Sequence, residues 1–96
     1  MVGIDKLRRA CEELSSDGDA RSRLKTAARE FEAAAAYGYR TWPLGLRREA
    51  DAIRGMLFRH GVPDCTVDRM TDDAVADTIA SLQRFCDEFE RSTACG

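Results

Sequence analysis

The side chains of this sequence that could carry chemistry are one histidine, four cysteines and a few adjacent carboxylates, and each lacks the neighbours its chemistry needs. To hold zinc, His60 would need three further donors. The turn Gly61-Val62-Pro63 that separates it from Cys65 does not match the paired spacings of zinc sites. A phosphoryl-accepting histidine should project from mid-helix, whereas Gly61 and Pro63 put His60 at a break. It reads as the residue that closes a helix, where a cation suits the negative end of the dipole.

Cys11, Cys65, Cys86 and Cys95 are separated by 54, 21 and 9 residues, so no Cys-x-x-Cys pair exists for a zinc ribbon or a thioredoxin-type motif. Cys65 follows Asp64, a carboxylate where an activated nucleophile has a cation. Cys11 and Cys86 fall on apolar stripes, and Cys95 is a tail thiol. All four are read as free, so reductant and chelator are both expected to leave the helical content unchanged. Asp72-Asp73 and Asp87-Glu88 are neighbours in sequence, which on a helix splays them by about 100 degrees and denies them a common substrate. No nucleophile elbow, metalloprotease helix or phosphate-cradling loop is present. The expectation is a protein without catalytic residues, cofactor or metal, and not an enzyme.

Binding is the remaining chemistry. Tyr37-Gly38-Tyr39-Arg40-Thr41-Trp42-Pro43-Leu44 holds both tyrosines, the one tryptophan and an arginine in a single connection. These are the types enriched at binding hot spots, and loops are where function tends to sit. Tyr39, Arg40, Trp42, Arg47 and Arg48 are therefore the expected partner-binding residues. Trp42 has a competing role as a plug that seals the end of an alanine-rich bundle.

The alternative is a nucleic-acid-associated regulator that uses Arg21, Arg23, Lys25 and Arg29 with Arg40, Arg47, Arg48, Arg54 and Arg59. Against it, the last helix opens on Asp72, Asp73 and Asp77, which repel phosphates, and its ten-residue separation from the preceding helix is too long for a helix-turn-helix. Solvated arginines partnered by Glu30, Glu32, Glu49 and Asp51 are the favoured expectation.

Apolar residues at the helical period mark the elements that position these groups. Ile4, Leu7, Cys11 and Leu14 define a helix over about 4–15; Leu24, Ala27, Ala28, Phe31, Ala34 and Ala35 one over 20–37; Leu46, Ala50, Ile53 and Leu57 one over 44–60. Val75, Ile79, Leu82, Cys86 and Phe89, flanked by Thr78 and Phe85, define the last over 72–91. Gly18 and Asp19 suit a turn and an N-cap, Thr71 a second N-cap, and Pro43 a first helical turn. Residues 65–70 read as a loose turn and 92–96 as a frayed tail. The fold expected is all-α: one domain over 1–96, an up-down antiparallel four-helix bundle.

Only 18 residues are Ile, Leu, Val or Phe while 14 are alanine, so the core is thin and its helices must approach closely. A thin core shared over four helices predicts self-association, a homodimer through Leu82, Phe85 and Phe89. Residues 1–60 carry +3 and 61–96 carry −5, a split that would orient a head-to-tail association or pair the two halves within one fold, the second being the favoured expectation. No apolar run reaches the length of a membrane span, and the charged start MVGIDKLRRACEEL lacks a secretory segment, so the expected location is the cytoplasm, away from membranes. The function expected is protein interaction, as adaptor, regulator or self-associating domain.

Overall fold

The computed structural model describes the backbone of residues 4–15 and 18–95 and the side chains of residues 5–15 and 18–92. Among them are five α-helices, one more than the periodicity predicts: α1 (Ile4–Ser15), α2 (Ala20–Gly38), α3 (Leu44–Leu57), α4 (Pro63–Arg69) and α5 (Asp72–Cys95). A single 3-10 turn, Tyr39–Thr41, continues α2. The up-down bundle of four helices therefore gives way to a five-helix arrangement.

Local signals set most of the boundaries. Gly18 takes a φ of +128°, and the Asp19 carboxylate accepts from the Ser22 N–H at 3.1 Å to start α2. The Thr71 hydroxyl accepts from the Ala74 N–H at 3.1 Å and starts α5. α3 ends at Leu57, three residues before the expected His60, because the chain must turn onto α4. Phe58 closes it, Gly61 (φ +96°) donates its N–H back to the Phe58 carbonyl at 3.2 Å, and Pro63 opens the next helix at its first turn. The expected frayed tail over 92–96 is helical as far as Cys95, while Gly96 lies outside the described residues.

The predicted apolar faces form one core. Every residue expected on the inner faces of α2 and α3 is buried. On α5, Val75, Leu82, Phe85, Cys86 and Phe89 are buried as well, so its seam and its flank make one broad face rather than two. α5 packs against α1, α2 and α3, and α2 also packs against α1 and α4. The radius of gyration, 12.5 Å, is that of a compact chain of this length. Leu82, Phe85 and Phe89 are all at most 1% exposed, so they hold the interior and leave no face there for a second copy. The sequence reading places them at an interface because a thin core shared over four helices leaves part of the last helix uncovered, whereas α5 is covered by α1, α2 and α3.

Cys11 of α1 and Cys86 of α5 are joined in a disulfide with Cα atoms 6.4 Å apart, which corrects the expectation that all cysteines are free. Cys65 remains a free, exposed thiol. The side chains of Ile4 and Cys95 lie outside the described residues.

The uneven charge is spent within the fold. Arg21, Lys25 and Arg29, every fourth residue of α2, pair with Asp72, Asp68 and Asp64, every fourth residue along α4 into α5, at 3.0, 2.6 and 2.7 Å. The two rows run antiparallel. Arg21 also donates to the Val67 carbonyl near the end of α4, which accepts the Met70 N–H as well, and Arg23 donates to the Leu14 carbonyl near the end of α1 at 2.9 Å, where a helix terminus lacks intrahelical donors. Each exposed pair is worth about 0–1 kcal/mol; its larger effect is to set the register of α4 on α2.

Candidate interaction surface at the α2–α3 connection

The connection between α2 and α3 turns by simple means. The Tyr39 N–H still reaches the Ala35 carbonyl, the Thr41 hydroxyl donates to the Gly38 carbonyl at 2.7 Å, and the Trp42 N–H donates to the Tyr39 carbonyl at 3.1 Å. Pro43 then forces the preceding residue out of helical conformation, and Trp42 sits at φ −79°, ψ 147°. Trp42 is inside, 2% exposed, with its ring centroid 5.4 Å from that of Phe89 and 5.6 Å from that of Phe85. Phe31 meets Phe85 edge to face at 5.4 Å, completing an aromatic cluster at this end of the molecule. The plug role fits Trp42, and its ring is not available as a contact surface.

Outside this plug, the other residues of the connection behave differently. Tyr39 is half-buried, and its hydroxyl donates to both carboxylate oxygens of Asp51 on α3, at 2.8 and 3.0 Å. That hydrogen bond, with some burial and the Asp51 charge, holds the phenol above its ordinary pKa, while Arg47 and Arg54 oppose the shift. Tyr39 is thus a clasp between the turn and α3. Tyr37, which the sequence reading leaves out of the partner-binding set, is 72% exposed. With Tyr39, Arg40, Glu32, Ala35, Ala36 and Arg54 it lines an open concavity of about 270 Å³.

Arg54 and Glu32 within that concavity are paired at 2.9 Å. Arg40 is exposed and has no ion-pair partner among the described residues. Arg47 is half-buried and Arg48 exposed on α3, and neither lines the concavity. Of the five expected residues, the fold therefore brings Tyr39 and Arg40 together, buries Trp42, and leaves Arg47 and Arg48 to the side. The arginines of the nucleic-acid alternative divide too. Arg21, Arg29 and Arg54 are in ion pairs, with Asp72, Asp64 and Glu32, so the partners are mostly the aspartates of α4 and α5 rather than Glu30, Glu49 and Asp51.

A second polar group lies across α3 and α5. Glu49 and Glu88 line a small cleft with Ile53, Met56, Ser81 and Arg84. Burial, the hydrogen bond with Glu88 and the Glu88 charge together hold the Glu49 carboxyl above the usual glutamate range, against the opposing charge of Arg84. Because its folded-state pKa is raised, Glu49 disfavours the fold as pH climbs from the ordinary glutamate value through the raised one. Below that window both states are protonated and the penalty disappears. Glu49→Gln, whose amide can donate to Glu88 at any pH, should raise the thermal midpoint at about pH 7 and leave it unchanged at about pH 3. Melting curves of both proteins across that range test the assignment, and an equal gain at both ends would exclude it.

Among the described residues no three His, Cys, Asp or Glu side chains converge as a metal site, and no helix is long and apolar enough to cross a membrane. Comparison with protein-family models, with curated proteins and with solved structures gives no match to this chain.

Proposed function

We propose that this chain is a small protein-interaction domain, an adaptor or regulator or a partner for a second copy of itself, working in the cytoplasm. The surface that meets the partner is built by Tyr37, Tyr39 and Arg40. One observation carries this assignment: an exposed tyrosine at the end of α2 and an arginine on the following turn, with no ion-pair partner among the described residues, flank one concavity beside the buried Trp42. A tyrosine ring has only two side-chain torsions to fix on docking, and arginine supplies a planar fork for a carboxylate or a carbonyl. Leu44, 55% exposed at the start of α3, adds apolar area close by in sequence.

The proposal predicts that Tyr37→Ala and Arg40→Glu each abolish capture of the partner from native lysate while the thermal midpoint moves little, since both side chains are exposed. Nuclease treatment of the lysate should leave capture intact. Light scattering over a wide concentration range separates self-association from a foreign partner, because only the former changes the mass of the purified chain. Capture of the same proteins by wild type and by both folded variants would refute the assignment.

A further inference from the structure

Where α3, α4 and α5 meet, a groove of about 340 Å³ shares no lining residue with the Tyr37–Arg40 concavity. Met56, Met70 and Ala74 give it apolar walls, and Thr66 and Thr78, 1% and 2% exposed, lie at its base. Both hydroxyls are already committed: Thr66 donates to the Val62 carbonyl at 3.2 Å and Thr78 to the Ala74 carbonyl at 2.8 Å. Thr66 also accepts the His60 N–H at 3.1 Å, which fastens the α3–α4 turn to α4 and holds one edge of the groove in place. Polar recognition in this groove therefore falls to the charged side chains around it.

Those side chains are Arg59, His60 and Arg69, with Asp77 as the one carboxylate in the lining. The acidic segment 61–96 spends Asp64, Asp68 and Asp72 on the cations of α2. Arg59 and Arg69 are left exposed, with no ion-pair partner among the described residues. Two guanidiniums and an imidazole around methionine walls, opposed by a single carboxylate, complement a molecule with one anionic end and one apolar body. A neutral apolar ligand would leave the guanidiniums unused, and a bare anion would leave the walls unused.

We propose that this groove binds a small aliphatic monocarboxylate, its chain against Met56, Met70 and Ala74 and its carboxylate held by Arg59 and Arg69, with His60 as a further donor. The fork of a guanidinium matches a carboxylate through two parallel N–H donors, and the apolar chain contributes through the area it removes from water. The site needs no other component.

Titration of the isotope-labelled chain with octanoate, 1-octanol and inorganic phosphate, followed by backbone amide shifts, tests it. Octanoate should produce saturable shifts confined to residues 56–60 and 66–78, with octanol and phosphate each binding at least about tenfold more weakly. Arg59→Ala and Arg69→Ala should each weaken octanoate by about tenfold, whereas Arg84→Ala, which removes the same charge from outside the groove, should not. Both arginines are exposed, so the variants should keep the wild-type amide spectrum away from the substitution. Octanol or phosphate binding as tightly as octanoate, shifts spread over the whole molecule, no saturable shifts at all, or loss of binding in Arg84→Ala equal to that in the groove variants would overturn the proposal.

Discussion

Reduction of the Cys11–Cys86 bridge should lower the unfolding free energy by about 4 kcal/mol, from the entropy of the 75-residue loop that it closes. The bond ties the first helix to the last, so the unfolded chain it constrains is nearly the whole protein. For a domain of this size, whose total stability is about 5–15 kcal/mol, that is a large share. Denaturant unfolding with and without reductant measures it, and the double variant Cys11→Ala/Cys86→Ala supplies the control. Reductant should shift the wild-type midpoint down towards that of the variant and leave the variant where it is. A wild-type midpoint indifferent to reductant would show that the pair adds nothing to the folded state beyond its packing. The same comparison bears on location. Cytosolic disulfides are rare, so a cytoplasmic domain would work as the less stable dithiol, and an oxidising compartment would hold the bridged form.

The disulfide also shows where sequence patterning stops. Cys11 and Cys86 sit on the apolar stripes of α1 and α5, which the periodicity identifies, but nothing in a separation of 75 residues says that the two stripes face each other. Only the packing of α5 against α1 brings the sulfurs together. The long helices were legible because each repeats its apolar period over several turns, and nearly every residue predicted on those faces is in the core. α4 escaped because its seven residues hold barely two turns, and just Thr66 and Val67 are buried. With α4 read as a turn, the four-residue spacing of Asp64, Asp68 and Asp72 has no helix to give it meaning. The antiparallel match to Arg21, Lys25 and Arg29 is then invisible, although both rows stand in the sequence.

At the candidate surface the division is similar. Composition singled out the Tyr37–Leu44 connection, and the fold does make a concavity there. Which aromatic ring faces inward is a matter of one backbone step. Pro43 holds Trp42 extended, which sends its ring to Phe85 and Phe89, while Tyr37, at the end of α2, stays outside. Residue type alone ranks tryptophan above tyrosine as an anchor, and here that ranking selects the ring that the core buries. The Glu49–Glu88 contact has no linear signature because α3 and α5 are far apart in the chain, and the groove of Arg59 and Arg69, although its lining falls within residues 56–78, exists only once α3, α4 and α5 fold onto one another.

Trp42→Ala should cost about 3–5 kcal/mol, the range for removing a large buried aromatic side chain. The ring is 2% exposed and lies among Tyr39, Phe85 and Phe89, with centroid distances of 6.1, 5.6 and 5.4 Å. Helix faces made largely of alanine have few long side chains that could swing in to refill the space, so the cavity should stay open and the loss should fall towards the upper end. Arg40→Ala, two residues away but exposed, should stay within about 0.5 kcal/mol of wild type. Urea unfolding of the oxidised proteins reports both changes. Capture of a partner by Trp42→Ala should then fall only as far as the variant unfolds, whereas Tyr37→Ala and Arg40→Glu should lose capture while folded. A Trp42→Ala protein within about 1 kcal/mol of wild type would mean that the ring does not seal this end of the core. In that case the turn that presents Tyr37, Tyr39 and Arg40 would owe its shape to the Tyr39–Asp51 clasp instead.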